Sequence, residues 1–109
     1  MTQAVRFIHD NASRGIGVND VVAAVGGSRR TLEVRFRKTL RRAVNAEIQR
    51  AKIERARRLL AETDLSVDQI ARAAGFRTSG YLIRLFSREH GIPPGTYRRK
   101  IRGDERDGR

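Results

Sequence analysis

Residues 75–99 read GFRTSGYLIRLFSREHGIPPGTYRR, a short apolar stripe surrounded by arginines. The apolar residues recur at the three- and four-residue spacing that places side chains on one face of an α-helix. Gly91 and the Pro93-Pro94 pair then force a turn, because proline cannot continue a helix. The stretch therefore predicts a helix with one buried face and a positively charged outer surface. The stripe consists of Tyr81, Leu82, Leu85 and Phe86.

A similar pattern, VGGSRRTLEVRFRKTL, occurs about fifty residues earlier. Superposing Gly26 on Gly75 aligns one short helix with another. The Leu-x-x-x-Phe stripe at residues 32–36 then matches the stripe at 82–86, provided that the second turn is one residue longer. Each half reads as a short helix, a turn and a basic second helix, which is the order of a helix-turn-helix motif. The chain is therefore predicted to contain two such units.

Apolar spacing predicts an all-α fold, and no segment shows sustained strand-like alternation. Ser28 is the expected N-cap of the third helix, and Ser66 with Gln69 has the spacing of a capping box. Predicted inward positions include Val5, Val22, Val25 and Leu59. The expected seven helices cover about residues 3–12, 18–25, 28–40, 44–62, 66–75, 78–90 and a last short segment that contains Tyr97 and Ile101.

This pattern predicts two helix-turn-helix subdomains joined by a long linker helix. The linker has about 19 residues and would span roughly 28 Å, which approaches the roughly 34 Å turn of B-DNA. The second helices of the two units, joined by this linker, could enter successive major-groove segments. Because the linker is shorter than one DNA turn, either the DNA would bend or one unit would bind loosely. The expected divisions are 1–43 and 63–102 for the subdomains, 44–62 for the linker, and 103–109 for a loose tail.

The formal charge of +12 and the pI of about 11.6 make a polyanion, nucleic acid first, the expected partner. The charge is unevenly placed. Residues 28–58 hold 12 Lys/Arg against 3 acids, residues 75–102 hold 7 against 1, and the rest hold 5 against 8. Arginine outnumbers lysine, and its planar guanidinium suits bidentate contact with phosphate or guanine. This distribution favours a binding face over a general solubility device.

A helix-turn-helix presents the N-terminal, outward residues of its second helix to base edges in the major groove. In that position Arg30 could read guanine and Ile83 could contact a thymine methyl group. Glu33 is either a reader of cytosine or an intrahelical partner of Arg29 or Arg37. The predicted base readers are Arg29, Arg30 and Glu33 in the first unit, and Thr78, Ser79, Gly80, Ile83 and Arg84 in the second.

Other cations on these helices and in the C-terminal segment are better placed for phosphates, and such contacts position the protein without reading sequence. The predicted phosphate contacts are Arg35, Arg37, Lys38, Arg41, Arg42, Arg88, Arg98 and Arg99.

Other function classes receive less support. His9 and His90 are the two side chains that could act near neutral pH, and the chain has neither a phosphate-binding glycine loop nor a metal-ligand cluster, so we expect no catalysis, cofactor or metal. Binding of RNA or single strands usually needs exposed aromatics, whereas the six here mostly fall on core-facing positions. A module for acidic proteins or membrane surfaces is the third alternative.

Location is also constrained by the sequence. No apolar run approaches the roughly 20 residues that a membrane-spanning helix requires. The first residues, MTQAVRFIHD, lack the features of a secretory signal, and the chain has no cysteine. We therefore expect a cytoplasmic, nucleoid-associated protein.

Residues 70–99, IARAAGFRTSGYLIRLFSREHGIPPGTYRR, resemble the C-terminal signature of AraC/XylS-type transcription regulators. The likeness extends over about residues 3–102 and implies two helix-turn-helix subdomains joined by a long helix. It also implies binding to double-stranded promoter DNA and work with RNA polymerase. The matching elements are Ile-Ala at 70–71, Gly-Phe at 75–76, Tyr-Leu at 81–82, Arg-x-Phe at 84–86 and Gly-x-x-Pro-x-x-Tyr-Arg at 91–98.

The first unit departs from the family pattern, because RRAVNAEI stands where a Gly-x-x-Pro turn would follow the third helix. Together with Leu-Glu-x-Arg-Phe at 32–36, this departure resembles the xylose-operon regulator branch of the family. That resemblance implies that a sugar is sensed by a separate effector-binding domain absent from this chain. The chain is then the DNA-binding module of a larger regulator or a stand-alone protein. Neither the operator nor the choice between activation and repression follows from it.

Overall fold

A computed structural model describes residues 1–103, which are all-helical with no strand in that range. The predicted all-α fold of seven helices is confirmed, and the bounds of the first six helices lie within two residues of their predicted positions. The predicted loose tail, residues 103–109, lies outside the described part except for Gly103. A 3-10 turn, Ala12–Arg14, follows the first helix. The helices are α1 Thr2–Asn11, α2 Val18–Val25, α3 Arg29–Leu40, α4 Val44–Glu62, α5 Val67–Ala73, α6 Ser79–His90 and α7 Pro94–Ile101.

The chain forms two compact units, Met1–Lys52 and Ile53–Arg109. The division falls inside α4, whereas the sequence pattern treated the whole of that helix as a linker. The reason is that each half of α4 contributes apolar side chains to a different core. Ile48 and Ala51 belong to the first core, and Ala56 and Leu60 belong to the second.

The core of the first unit lies between α1, α2, α3 and the first half of α4. Ala4 and Ile8 are four residues apart and share the buried face of α1, so Val5 lies to one side and is half-buried rather than inward. Val22 and Val25, which were also predicted inward, pack at the edge of this core. The buried residues are Ala4, Ile8, Ala12, Val18, Val21, Leu32, Phe36, Val44, Ile48 and Ala51.

The core of the second unit is centred on Phe86. The Phe86 ring meets Tyr97 edge-on at a centroid distance of 5.3 Å, and the His90 ring lies 4.3 Å away. Leu59, predicted inward, is half-buried beside this core. The buried residues are Ile53, Ala56, Leu60, Ile70, Ala71, Ala74, Phe76, Leu82, Leu85 and Phe86.

Within residues 1–103, no helix combines the length and the apolarity that a bilayer crossing would require.

Replacing Phe36 by alanine should lower the free energy of unfolding by about 3–5 kcal/mol, because the ring is fully buried and its removal leaves a cavity. Denaturant titration followed by circular dichroism would measure the change. The control is Thr39→Ala, an exposed residue of the same helix, which should change stability by no more than about 0.5 kcal/mol. Equal effects of the two substitutions would contradict the burial of Phe36.

Candidate nucleic-acid interface

Both basic second helices begin with a hydroxyl side chain that caps the first turn. Ser28 Oγ accepts a hydrogen bond from the Thr31 backbone N–H at 3.1 Å. Thr78 Oγ1 accepts one from the Tyr81 N–H, also at 3.1 Å. Such caps fix where a helix begins and hence which side chains occupy its first turn. The Oγ1 atom of Thr78, a predicted base reader, is therefore already a hydrogen-bond acceptor within its own helix.

α3 and α6 have the same length and the same internal register. Each spans 12 residues, and the N-caps Ser28 and Thr78 are 50 positions apart. Counted from Gly26 to Ser28 and from Gly75 to Thr78, the turn before α6 is one residue longer than the turn before α3, as the sequence alignment required. The same offset of 50 relates further pairs in the two helices: Leu32 and Leu82, Phe36 and Phe86, and the left-handed C-caps Arg41 and Gly91.

The apolar stripe anchors each second helix to its own unit. Leu32 and Phe36 are buried in the first core, and Leu82 and Phe86 are buried in the second. Because two anchors four residues apart lie on one face, they fix how the helix is rotated about its axis. The opposite face of each helix is thereby directed to solvent.

In the first unit, the outward residues begin with Arg29, Arg30 and Glu33. Arg29 Nη1 donates a hydrogen bond to Asn19 Oδ1 of α2 at 3.4 Å, and its Nε lies 3.7 Å from Glu33 Oε2. Of the two roles expected for Glu33, the structure displays the intrahelical pairing with Arg29. Arg30 is exposed in the same turn.

In the second unit, Arg84 is exposed on the outward face of α6. Its guanidinium carbon lies 5.1 Å from the centroid of the Tyr81 ring, a cation–π distance that orients the side chain along the helix surface. Ser79 is half-buried, while Gly80 and Ile83 are exposed. The structure thus places all five predicted base readers of this unit at the N-cap or in the first half of α6.

The predicted phosphate contacts fall into two groups. The first group is exposed, and it consists of Arg35, Arg37 and Lys38 on α3, Arg41 at the C-cap of α3, and Arg88 on α6. The second group has partners within the protein. Arg42 Nη1 donates to Glu47 Oε1, Arg99 Nη2 donates to Thr96 Oγ1 at 3.3 Å, and Arg98 donates to two backbone carbonyls.

Arg98 caps the C-terminus of α4. Its Nε donates to Leu60 O at 3.1 Å and its Nη2 to Thr63 O at 3.0 Å, and Arg102 donates to the same carbonyls. The last carbonyls of a helix have no intrahelical partners and carry the negative end of its dipole, so guanidinium donors stabilise them. Burial lowers the pKa of Arg98. In this structure Arg98 is a structural cap, and its phosphate contact stays a prediction.

Arg41 adopts a backbone conformation that favours glycine. Its φ of 60° makes it the one non-glycine residue with positive φ among residues 1–103, and its counterpart in the second unit is Gly91, with a φ of 80°. Val44, fully buried, stands at the register position of buried Pro94. The departure from the Gly-x-x-Pro pattern is thus a change of side chains, and the helix end it forms is of the same left-handed type.

Glu47 joins the start of α4 to α1 and to the preceding turn. This carboxylate is only 5% exposed, with His9 Nε2 2.7 Å from its Oε2 and Arg42 Nη1 donating to its Oε1. Arg50 lies 3.9 Å from Oε1. Burial raises the pKa of Glu47, but hydrogen bonds with His9 and Arg42 outweigh it, so the pKa lies below the ordinary value of 4.5.

Two surface residues near the predicted readers were missed by the sequence analysis. Val34 is 57% exposed on α3, and Arg77 is exposed immediately before the N-cap of α6. The signal for Val34 was available, because it lies two residues from each anchor and hence on the opposite face of the helix. In residues 1–103, no three His, Asp or Glu side chains come together as they would around a metal ion.

Comparison with known proteins identifies relatives that share this arrangement. Residues 21–100 match the family model described as a helix-turn-helix domain. The chain is 36% identical to the xylose operon regulatory protein of Escherichia coli K12 over 96 residues, which cover 88% of this chain and 24% of that protein. It is 37% identical to the transcriptional activator NphR of Rhodococcus sp over 101 residues, 92% of this chain and 30% of that protein. The chain therefore spans about a quarter of the length of these curated relatives.

Solved structures agree with this result. The DNA-binding domain of the global transcriptional factor AdpA, in complex with a target DNA, superposes with a TM-score of 0.88 at 30% identity and covers 94% of this chain and 93% of that chain. An AraC-type regulator from Chromobacterium violaceum superposes with a TM-score of 0.85 at 30% identity, covering 89% of this chain and 87% of that one.

Replacing Glu47 by glutamine should make the first unit less stable at neutral pH and less sensitive to acid. A carboxyl whose folded pKa is depressed contributes stability above its unfolded pKa, here about 4.5, and loses it as the pH falls through the folded pKa. Denaturant midpoints measured between about pH 7 and pH 3 should therefore fall more for the wild type than for Glu47→Gln. Parallel pH profiles of the two proteins would exclude this role for Glu47.

Proposed function

Because the chain belongs to the AraC-type family of helix-turn-helix DNA-binding domains, we propose that it reads a specific double-stranded DNA sequence with both of its units. The observation that carries the proposal is the common register of α3 and α6. In each helix an anchored apolar stripe directs a cationic face outward, which is the arrangement that a helix needs in order to enter a major groove.

In the proposed contacts of the first unit, Arg30 reads guanine through its planar guanidinium. Arg29 and Glu33 lie beside it as an ion pair. Glu33 would have to exchange this partner for cytosine N4 in order to read a base, and it otherwise keeps Arg29 in place.

In the second unit, Arg84 is the proposed reader of guanine and Ile83 the contact for a thymine methyl group. Ser79 and Gly80 bring the backbone of the first turn close to the DNA, with Thr78 at the cap. A Cβ atom at Gly80 would lie 3.9 Å from Thr78 Oγ1 and meet nothing nearer, so the fold itself has space for an alanine there. Close approach of a partner is a reason for glycine at this point.

Phosphate contacts are proposed for the exposed cations Arg35, Arg37, Lys38, Arg41 and Arg88. Arg42 and Arg99 would contribute only by exchanging protein partners for phosphate. The left-handed conformation of Arg41 costs roughly 1–2 kcal/mol for a residue with a Cβ atom. A phosphate contact by its side chain would offset that cost in the complex.

The parent protein is proposed to regulate genes of sugar catabolism, on the likeness to the xylose operon regulatory protein. In this proposal the DNA is a promoter, RNA polymerase is a further partner, and a separate domain binds the effector. The location would be the cytoplasm, at the nucleoid. The role is that of a binding module without catalysis.

Selection from a randomised duplex library at about 150 mM salt, followed by a salt titration of the best sequence, tests the proposed function. Two enriched elements are expected, one for each unit. Equal binding of all duplexes, with affinity falling uniformly as salt rises, would contradict sequence reading. Single-stranded RNA and anionic vesicles should be compared at the same salt, and stronger binding to either would favour the corresponding alternative.

Arg30→Ala and Arg84→Ala should each cost roughly 1–3 kcal/mol of binding free energy on the selected duplex and relax the preference at one position. Each removes a proposed base reader from one unit. Fluorescence anisotropy with selected and random duplexes measures both effects. Arg41→Ala is the matched control and should weaken the two duplexes about equally. Equal losses on both duplexes for Arg30→Ala would exclude base reading by this residue.

Arg88→Ala and Arg98→Ala should separate phosphate binding from structural capping. Arg88→Ala should lower the slope of log affinity against log salt by about 1 and leave thermal stability nearly unchanged. Arg98→Ala should lower the melting temperature, because each of two carbonyls loses one of its two guanidinium donors, and leave the salt slope unchanged. The reverse pattern would support the predicted phosphate contact of Arg98.

A further inference from the structure

Three large apolar side chains are exposed among residues 1–103. Val34 is 57% exposed, Ile101 43% and Ile83 40%. A single exposed apolar residue is ordinary in a folded protein. Two of these three, however, lie on the outward faces of α3 and α6, the two helices that the proposed function assigns to DNA.

Val34 occupies the most outward position of α3. It lies two residues from each of the anchors Leu32 and Phe36, which places it about 200° around the helix from both. Its counterpart at the same register in α6 is Arg84, two residues from each of the anchors there. The two units therefore present opposite chemistry at the same point, an aliphatic side chain in one and a guanidinium in the other.

The surroundings of Val34 are cationic. Arg30 precedes it by four residues, Arg37 and Lys38 follow it by three and four, and all three are exposed. Residues at these spacings are neighbours on a helix surface. A partner that complements this surface would carry negative charge around an aliphatic group, so that the charge faces the cations and the aliphatic group faces Val34. In the major groove of duplex DNA, the 5-methyl group of thymine is the aliphatic group available.

We propose that Val34 contacts the 5-methyl group of a thymine in the DNA element bound by the first unit, an inference that rests on the proposed function. Val34 is thus a specificity-determining residue. It gives this unit a preference for thymine at the register position where Arg84 gives the second unit a preference for guanine. A valine also has lower helix propensity than the straight-chain residues usual on exposed helix faces, so its presence there is better explained by a contact than by solubility.

Replacement of thymine by deoxyuridine in the selected duplex removes the methyl group and keeps the base-pairing and the other groove atoms. Each thymine of the element assigned to the first unit by Arg30→Ala is replaced in turn, and affinity is measured for the wild type and for Val34→Ala. Ile101→Ala is the matched control, because Ile101 is exposed to a similar extent but lies on α7. Thermal unfolding should be nearly unchanged in both variants, since neither side chain is buried.

At one thymine, loss of the methyl group should weaken wild-type binding about three- to fivefold, the effect of one buried methyl-sized group. Val34→Ala should weaken binding to the thymine duplex by a similar factor, and its affinity should not change when deoxyuridine replaces that thymine. The affinity of Ile101→Ala should fall on this replacement as that of the wild type does. A methyl effect that persists in Val34→Ala, or no methyl effect at any thymine of that element, would overturn the inference and leave the proposed function standing. Failure to select any duplex would overturn both.

Discussion

The burial of two apolar side chains, one helical turn apart, is the constraint on which the interface depends. In α3 these are Leu32 and Phe36, and the equivalent pair anchors α6. The pair fixes the rotation of each helix about its axis, and the hydroxyl N-caps fix its first residue. Everything on the outward face then has a determined place, including the cations, Val34 and Ile83. Loss of the anchor would leave the charge of the protein unchanged but remove the register in which that charge is presented.

Arginine serves two different purposes in this small protein. On the outward faces of α3 and α6 it is exposed and available to a polyanion. Within the units, Arg98 and Arg42 hold the ends of α4, one by donating to its last carbonyls and the other by donating to buried Glu47. The planar fork of donors suits both tasks, since carbonyl, carboxylate and phosphate oxygens are all acceptors. The number of cations available to bind DNA is therefore smaller than the net charge suggests, because some arginines already donate to groups within the protein.

Features that depend on neighbours within about four residues could be predicted from the sequence. The helix bounds, the Ser28 N-cap, the Ser66–Gln69 capping box and the repeated stripe all belong to this class. Features that depend on distant partners could not be predicted. The carbonyl acceptors of Arg98 lie 35 to 38 residues away in the chain, and His9 reaches Glu47 across 38 residues. The exposed position of Val34 could also be predicted from its spacing to the anchors, but Val34 was not among the residues predicted to contact DNA.

DNA is proposed to meet the outward faces of α3 and α6. Amide chemical-shift mapping by NMR tests it most directly, by adding the selected duplex to isotopically labelled protein and comparing every backbone signal. The largest shifts are expected in the first half of α3, from Arg29 to Val34, and in the first half of α6, from Ser79 to Arg84. Shifts concentrated in α1 and α7, with α3 and α6 unaffected, would contradict the claim.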